Sequence, residues 1–179
     1  MKYYHGSSNP YLEELTTDHY GGHLYVTDSY EMALLYAACP LRSWSFDEVN
    51  NILYIIEMGE KAFEKMYKGK RCYIYTCDIE DVNKDNNNIS LHTYTVNHNV
   101  KLNRNKEIIE DAYLEFMELE KENKIKMIRW SSFSKEEQKN RKRKTIERWT
   151  PYMEEQKKNF PEVYEVLVNI IPELKFKKI

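Results

Sequence analysis

From Asn51 to Trp130 the chain repeats one alternation. A run of seven or eight residues rich in β-branched and aromatic side chains is followed by a polar or helix-period stretch. The runs are Asn51–Met58 (NILYIIEM), Arg71–Cys77 (RCYIYTC), Ile89–Val96 (ISLHTYTV) and Lys124–Trp130 (KIKMIRW). Each reads as a strand, and the first, being the most apolar, as a central one. Between them lie a charged helix, Glu60 to Tyr67, ended at Gly69, and a helical period over Lys106 to Asn123 carried by Ile108, Ile109, Ala112, Phe116 and Leu119. The stretch Asn83 to Asn88 is polar enough to be an exposed loop, and Val100 to Leu102 reads as a further short strand. Short strands alternating with short helices predict a domain of mixed α and β structure.

The segment before Asn51 follows the same rhythm. Lys2 to His5 is an aromatic strand, stopped by the dense turn signal Gly6-Ser7-Ser8-Asn9-Pro10. Asn9 as a cap and Pro10 in a first turn predict one or two helical turns over Tyr11 to Leu15. After Gly21-Gly22, His23 to Val26 is the next strand, and Thr27-Asp28-Ser29 caps a helix closed by Pro40. The apolar face of that helix is Met32, Ala33, Leu35 and Tyr36. Past Trp130 the composition shifts: Ser134 to Trp149 carries seven Lys or Arg against three Glu. Two amphipathic segments follow, separated by Pro161 and ended by Pro172. Trp149, Tyr152, Phe160, Tyr164, Leu167 and Ile171 demand burial, so this part is expected as a helical extension packed on the body. The reading is of a domain over residues 1–130 and an extension over 131–179, with no internal repeat.

Composition narrows the function. With 27 basic and 29 acidic residues the formal net charge is −2, which gives no global grip on nucleic acid or an anionic membrane. No apolar run approaches the roughly 18 residues of a membrane span. The opening MKYYHGSS lacks the apolar centre of a secretory signal, so a cytoplasmic location is expected. Three cysteines, Cys39, Cys72 and Cys77, are too few for a disulfide scaffold. Fifteen tyrosines stand against five glycines, and neither common phosphate-cradling glycine pattern can be written from the chain. A nucleotide bound here would be held by ring stacking and local backbone bonds.

Two local patterns could carry chemistry. In Tyr4-His5-Gly6-Ser7, at the end of the first strand, a histidine can hydrogen-bond a sugar hydroxyl. The glycine lets a ligand approach the backbone. Tyr25 closes a strand and Tyr36 lies two helical turns into the next element, so a strand-to-helix turn can bring both rings to one cleft. Stacking a cationic ring between two such faces is favourable by about 1–2 kcal/mol per desolvated face.

Together, His5-Gly6-Ser7, Tyr25-Val26-Thr27-Asp28 and the second tyrosine eleven positions on, Tyr36, resemble the ADP-ribosyltransferase fold. The resemblance is to the branch that includes diphtheria toxin and the poly(ADP-ribose) polymerases, and it covers roughly residues 2 to 130. It implies an α+β fold, a split antiparallel β-sheet core with flanking helices, to which the C-terminal helical extension is added. It implies NAD as substrate, with His5 on the nicotinamide ribose, the Gly6 backbone on the carboxamide, and Tyr25 and Tyr36 bracketing the nicotinamide ring. Ser7 and Thr27 join the expected dinucleotide-binding set, and no metal is implied. The polymerase branch places a serine where this chain has Ala33, so the toxin-like branch is the closer comparison. The family's glutamate, which anchors a ribose hydroxyl and offsets charge on the oxocarbenium-like transition state, falls at Thr93. A hydroxyl can bond the ribose but carries no charge, and electrostatic terms of that kind are worth about 3–4 kcal/mol. Glu107 or Glu110 could stand in for it.

The expectation is therefore an NAD-dependent mono-ADP-ribosyltransferase that releases nicotinamide and modifies a protein or nucleic-acid acceptor. Catalytic roles fall on His5, Tyr25, Tyr36 and Thr93. One alternative is a pseudoenzyme that binds NAD or ADP-ribose without transfer. Another is an interaction module acting through the basic run Lys139, Arg141, Lys142, Arg143 and Lys144, which could contact nucleic acid weakly. Metal chemistry has no support: Gly21-Gly22 separates His19 from His23, and Cys72 and Cys77 lack a second pair at zinc spacing.

Overall fold

In the computed structural model, residues 2–17, 23–38, 45–50, 52–84, 92–102 and 106–175 are described. Eleven strands and six α-helices follow one another among them. The first half holds β1 (Lys2–Ser7), β2 (Glu14–Leu15), β3 (Leu24–Thr27), α1 (Tyr30–Ala37), β4 (Ser45–Val49), β5 (Ile52–Ile56), α2 (Ala62–Tyr67) and β6 (Cys72–Asp78). Then come β7 (Asn83–Lys84), β8 (Thr93–Val96), β9 (Val100–Lys101), β10 (Lys106–Ile109), α3 (Ala112–Lys121) and β11 (Ile125–Ile128). Three helices end the chain: α4 (Lys135–Trp149), α5 (Met153–Asn159) and α6 (Pro161–Ile170). The fold is α+β, with a six-stranded antiparallel sheet in the order β10-β6-β1-β3-β8-β7. A three-stranded sheet, β11-β5-β4, contains the one parallel pair among the described strands, β5 with β11. Strands β2 and β9 form a separate antiparallel pair.

Alternation along β1 divides the core. Tyr3 faces a small cluster with Leu15, Leu24, Val26, Cys77, Val96 and Val100, while Tyr4 faces the main one. The main core joins α1 to α2, α3, the second sheet and the C-terminal helices through Leu34, Ile55, Phe63, Phe116 and Leu167, each fully buried. Met153, Val163, Ile170 and Ile171 belong to it as well, so α5 and α6 share one core with the body. Glu57, just past β5, is a buried carboxylate between these layers. Its two oxygens accept the Phe63 N–H at 3.3 Å and the Trp130 N–H at 2.7 Å.

Several expectations change. Gly6 and Ser7 continue β1 instead of ending it, because the ladder to β6 runs unbroken from Lys2 to Ser7. Tyr11 to Leu15 is not helical. The Ser7 hydroxyl accepts the Asn9 N–H and the Asn9 side chain the Tyr11 N–H, holding a turn, after which Glu14–Leu15 pairs with β9. Asn83–Lys84 is a short strand on β8 and not a loop. Ser45–Val49, for which no element was expected, pairs with β5. Lys106–Ile109, expected as helix, is a strand on β6; the helix begins only at Asp111, whose carboxylate accepts the Tyr113 and Leu114 N–H groups. Trp149 and Tyr164 pack half-buried on the core, but Tyr152 and Phe160 stay exposed. Cys39, Pro40, His19, Gly21, Gly22 and the segment 85–91 lie outside the described residues.

Candidate functional site

Helix α1 lies on one face of the main sheet and meets it at Gly6. A Cβ built on Gly6 would stand 1.9 Å from the Ala33 carbonyl oxygen and 2.8 Å from the Ala37 methyl. Only a residue without a side chain lets the strand approach the helix this closely. Tyr4 and Thr27 are register partners across β1 and β3, and continuing that register sets Gly6 opposite Tyr25. Leu24 and Val26 turn into the small cluster, so alternation turns Tyr25 to the α1 side, the side of Gly6. Tyr25 is 36% and Tyr36 41% exposed. The sequence placed Tyr36 on the buried face of α1. Leu34 takes that place because the helix is covered by apolar neighbours nearly all round, and Tyr36 stays open to solvent. Gly6 and Tyr25 thus share the side of the sheet on which α1 lies, and Tyr36 is carried in the C-terminal half of that helix.

His5 comes to the same seam from the other face of β1. Its Nδ1 lies 3.1 Å from the Tyr25 carbonyl oxygen. A carbonyl only accepts, so Nδ1 carries the hydrogen, and in the neutral ring Nε2 is the acceptor. Loss of solvent pushes the His5 pKa below its ordinary 6.5, against the opposing pull of the Tyr25 carbonyl. The neutral ring is therefore the form favoured by folding. Between pH 6.5 and the lowered native value the unfolded chain binds the extra proton, so the stability due to His5 is present above 6.5 and disappears as pH falls through that window. Urea denaturation at pH 7.5 and at pH 5.5 is expected to show a smaller loss on acidification in His5→Gln than in the native protein. Equal losses would remove this assignment.

The other expected residues are distributed differently. The Ser7 hydroxyl is engaged in the Asn9 turn. Thr27 is buried, and its hydroxyl accepts the Ser29 N–H at 3.1 Å, shaping the turn into α1. Thr93 is buried opposite Thr27. It therefore sits one row away from Tyr25, whose own partner on β8 is Thr95. Neither candidate replacement carboxylate is turned to the seam. Glu107 accepts the Tyr30 hydroxyl at 3.1 Å, and Glu110 pairs with Arg71 at 3.1 Å. Burial and the nearby Glu115 and Glu107 raise the Tyr30 pKa far above its usual value.

The carboxylate that reaches β8 is Asp28. It accepts from His92 Nδ1 at 2.5 Å and from the Tyr94 hydroxyl at 2.8 Å, and this bond to Asp28 pushes the Tyr94 pKa up to about 12. The sequence reading used Asp28 as part of a cap and of the Tyr25–Asp28 motif, with no role at β8. A carboxylate at a strand end, one position beyond a threonine that pairs with β8, was the available signal.

On α4, three of the five cations of the basic run meet partners within the chain. Arg141 stacks over Phe133 at 4.0 Å, Lys142 pairs with Glu173, and Arg143 bonds Glu147 at 2.8 Å. Lys139 and Lys144 lie on the exposed side. Among the described residues no group of three His, Cys, Asp or Glu could hold a metal ion, and no helix is long and apolar enough to cross a membrane. Compared with protein-family profiles, curated proteins and solved structures, the chain matches none.

Proposed function

We propose that this protein is an ADP-ribosyltransferase-like domain that binds NAD at the β1–β3 seam, releases nicotinamide and transfers a single ADP-ribose to a macromolecular acceptor. One observation carries the reading. Gly6 is wedged against the Ala33 carbonyl of α1, with exposed Tyr25 on that side of the sheet and exposed Tyr36 in the helix itself. Two core tyrosines with only their tips at the surface would not leave more than a third of each residue open. In this reading the rings flank the nicotinamide, and the backbone of Gly6 meets its carboxamide. Neutral His5, on the other face of β1, acts through its bond to the Tyr25 carbonyl, which holds the strand that carries Tyr25. As the glycosidic C–N bond breaks, its electron pair returns to the nicotinamide ring and positive charge grows on the ribose. The π faces of the tyrosines favour the cationic nicotinamide as it binds, and that attraction fades as the departing ring becomes neutral.

A nicotinamide-release assay tests it. The native chain is expected to release nicotinamide from NAD, and His5→Ala to lose about 10²-fold in rate through a displaced Tyr25. Equal turnover by the two proteins would overturn the reading. The uncharged, buried Thr93 favours a second outcome, a protein that holds NAD without cleaving it. Thermal stabilisation by NAD with no nicotinamide release would establish that form.

A further inference from the structure

The formal net charge of −2 conceals a segregation of charge. Helix α4 carries seven cationic side chains against three carboxylates, so the rest of the molecule is net acidic. A charge distribution of this kind turns α4 towards a polyanion.

None of the fifteen residues of α4 is buried. At about 100° per residue, Gln138, Arg141, Lys142, Thr145, Ile146 and Trp149 share the side that rests half-buried on the body. Arg141 and Lys142 are engaged there, by Phe133 and by Glu173. The opposite side is an open ridge of Glu136, Asn140, Arg143 and Glu147, in which Arg143 is paired with Glu147. Glu137 closes the capping box with Ser134 in the first turn. Four cations remain. Lys135 and Lys139 run along one margin of the ridge, Lys144 and Arg148 along the other, all exposed. Among the described residues none of the four has an ion-pair or hydrogen-bond partner. Within each pair the two side chains are four residues, hence about 6 Å, apart along the axis.

We propose that α4 docks in the major groove of double-stranded DNA, with Lys135 and Lys139 on the phosphates of one strand and Lys144 and Arg148 on those of the other. A helix about 10–12 Å across fits a groove about 12 Å wide, and the polar ridge then faces the base edges. An A-form RNA duplex closes its major groove to side chains. A lipid surface finds no apolar side chain on the ridge to bury. The face of an acidic protein reaches one margin and leaves the other unmatched. Nothing in this depends on NAD binding at the seam.

Fluorescence anisotropy of the full chain with a short labelled DNA duplex tests it. Binding is expected with a Kd of about 10 μM at about 50 mM salt, weakening about 10²-fold by about 200 mM, as about four phosphate contacts require. Lys139→Gln/Lys144→Gln, which removes one cation from each margin, should weaken binding at least about tenfold and lower the salt slope by about two. Lys101→Gln, at an exposed cation on β9, should change neither. All three side chains are exposed, so the variants should keep the native circular dichroism. A duplex whose thymines carry a bulky group at C5, which projects into the major groove, should bind at least about tenfold more weakly. No binding at about 20 mM salt overturns the proposal. So does a double variant that binds like the native chain, or equal affinity for the filled duplex, for an RNA duplex of the same sequence or for a polyglutamate peptide. Nicotinamide release enters none of these readouts, so failure here leaves the seam reading standing, and failure there leaves this one.

Discussion

Glu57→Ala is expected to cost the protein about 2–5 kcal/mol of stability, because one buried and one partly buried backbone donor lose their acceptor together and an unsatisfied buried donor costs about 1–3 kcal/mol. One donor is the Phe63 N–H in the first turn of α2, the other the Trp130 N–H just past β11. The Glu57 N–H bonds the Ile128 carbonyl at 3.0 Å, so the residue ties β5 to the end of β11 through backbone as well as side chain. Phe63 is fully buried and stacks on Tyr67 and Phe116, with ring centroids 4.5 and 4.9 Å away. Water therefore cannot reach its amide without opening that cluster. Glu57→Gln keeps the shape and one acceptor but turns an amide N–H₂ toward the other donor, so it should fall between alanine and the native residue. Urea unfolding read as midpoint and slope measures both. An alanine variant within about 0.5 kcal/mol of the native protein would place Glu57 among ordinary surface positions and overturn the account.

That a glutamate anchors the core was not legible in NILYIIEM, where it reads as the polar end of an apolar strand. Its partners lie 6 and 73 positions away, and hydrophobic periodicity carries no information about such pairings. The strands at 24–27, 52–56, 72–78 and 125–128 were legible, because their β-branched and aromatic runs are bounded by turn residues or charges. What failed were segments whose local pattern yielded to a partner. Lys106–Ile109 carries part of a helical period, yet the open edge of β6 pairs with its backbone and delays the helix to the cap at Asp111. Asn9 has the chemistry of a helix cap and uses it in a turn, since Glu14–Leu15 is drawn to β9.

The candidate site was legible in a similar, partial way. The spacing of His5, Gly6, Tyr25 and Tyr36 pointed to one neighbourhood; His5 bonds the Tyr25 carbonyl and Gly6 packs on α1, the helix that carries Tyr36. The charge near Thr93 was not readable. Asp28 reaches His92 and Tyr94, more than sixty positions on, only because β3 and β8 are neighbours. If the seam acts as proposed, its histidine is neutral at pH 7, and the carboxylate beside β8 is committed to an imidazole and a phenol. That arrangement predicts slow transfer in comparison with enzymes that place an unshared carboxylate at the reacting ribose.

Gly6→Ala is expected to be among the most damaging single-methyl substitutions in the chain. The added carbon would meet the Ala33 carbonyl oxygen at 1.9 Å, far inside any tolerated contact, and that oxygen belongs to the backbone of α1, which cannot rotate aside. Either α1 lifts from the sheet, uncovering Leu34, Leu35 and Ile74, or β1 shifts against β6 along six paired residues. Overpacking of a core usually costs about 1–3 kcal/mol, and a clash with fixed backbone belongs at or above the upper end. A second substitution tells which contact matters. Ala37→Gly removes the methyl that would stand 2.8 Å from the new carbon and leaves the Ala33 oxygen in place. Gly6→Ala/Ala37→Gly should therefore recover little of the lost stability, and the double-mutant cycle should show a coupling small beside the effect of Gly6→Ala. Full recovery would mean that the strand and helix separate at Ala37 alone, and that the carbonyl contact is relieved by a slight tilt of α1. The same measurement separates two reasons for a glycine at this position. If its role were only to admit a ligand to the backbone, Gly6→Ala would unfold at the native urea concentration while losing NAD binding. A large drop in unfolding midpoint assigns the glycine first to the packing of α1, the helix that carries Tyr36, on β1.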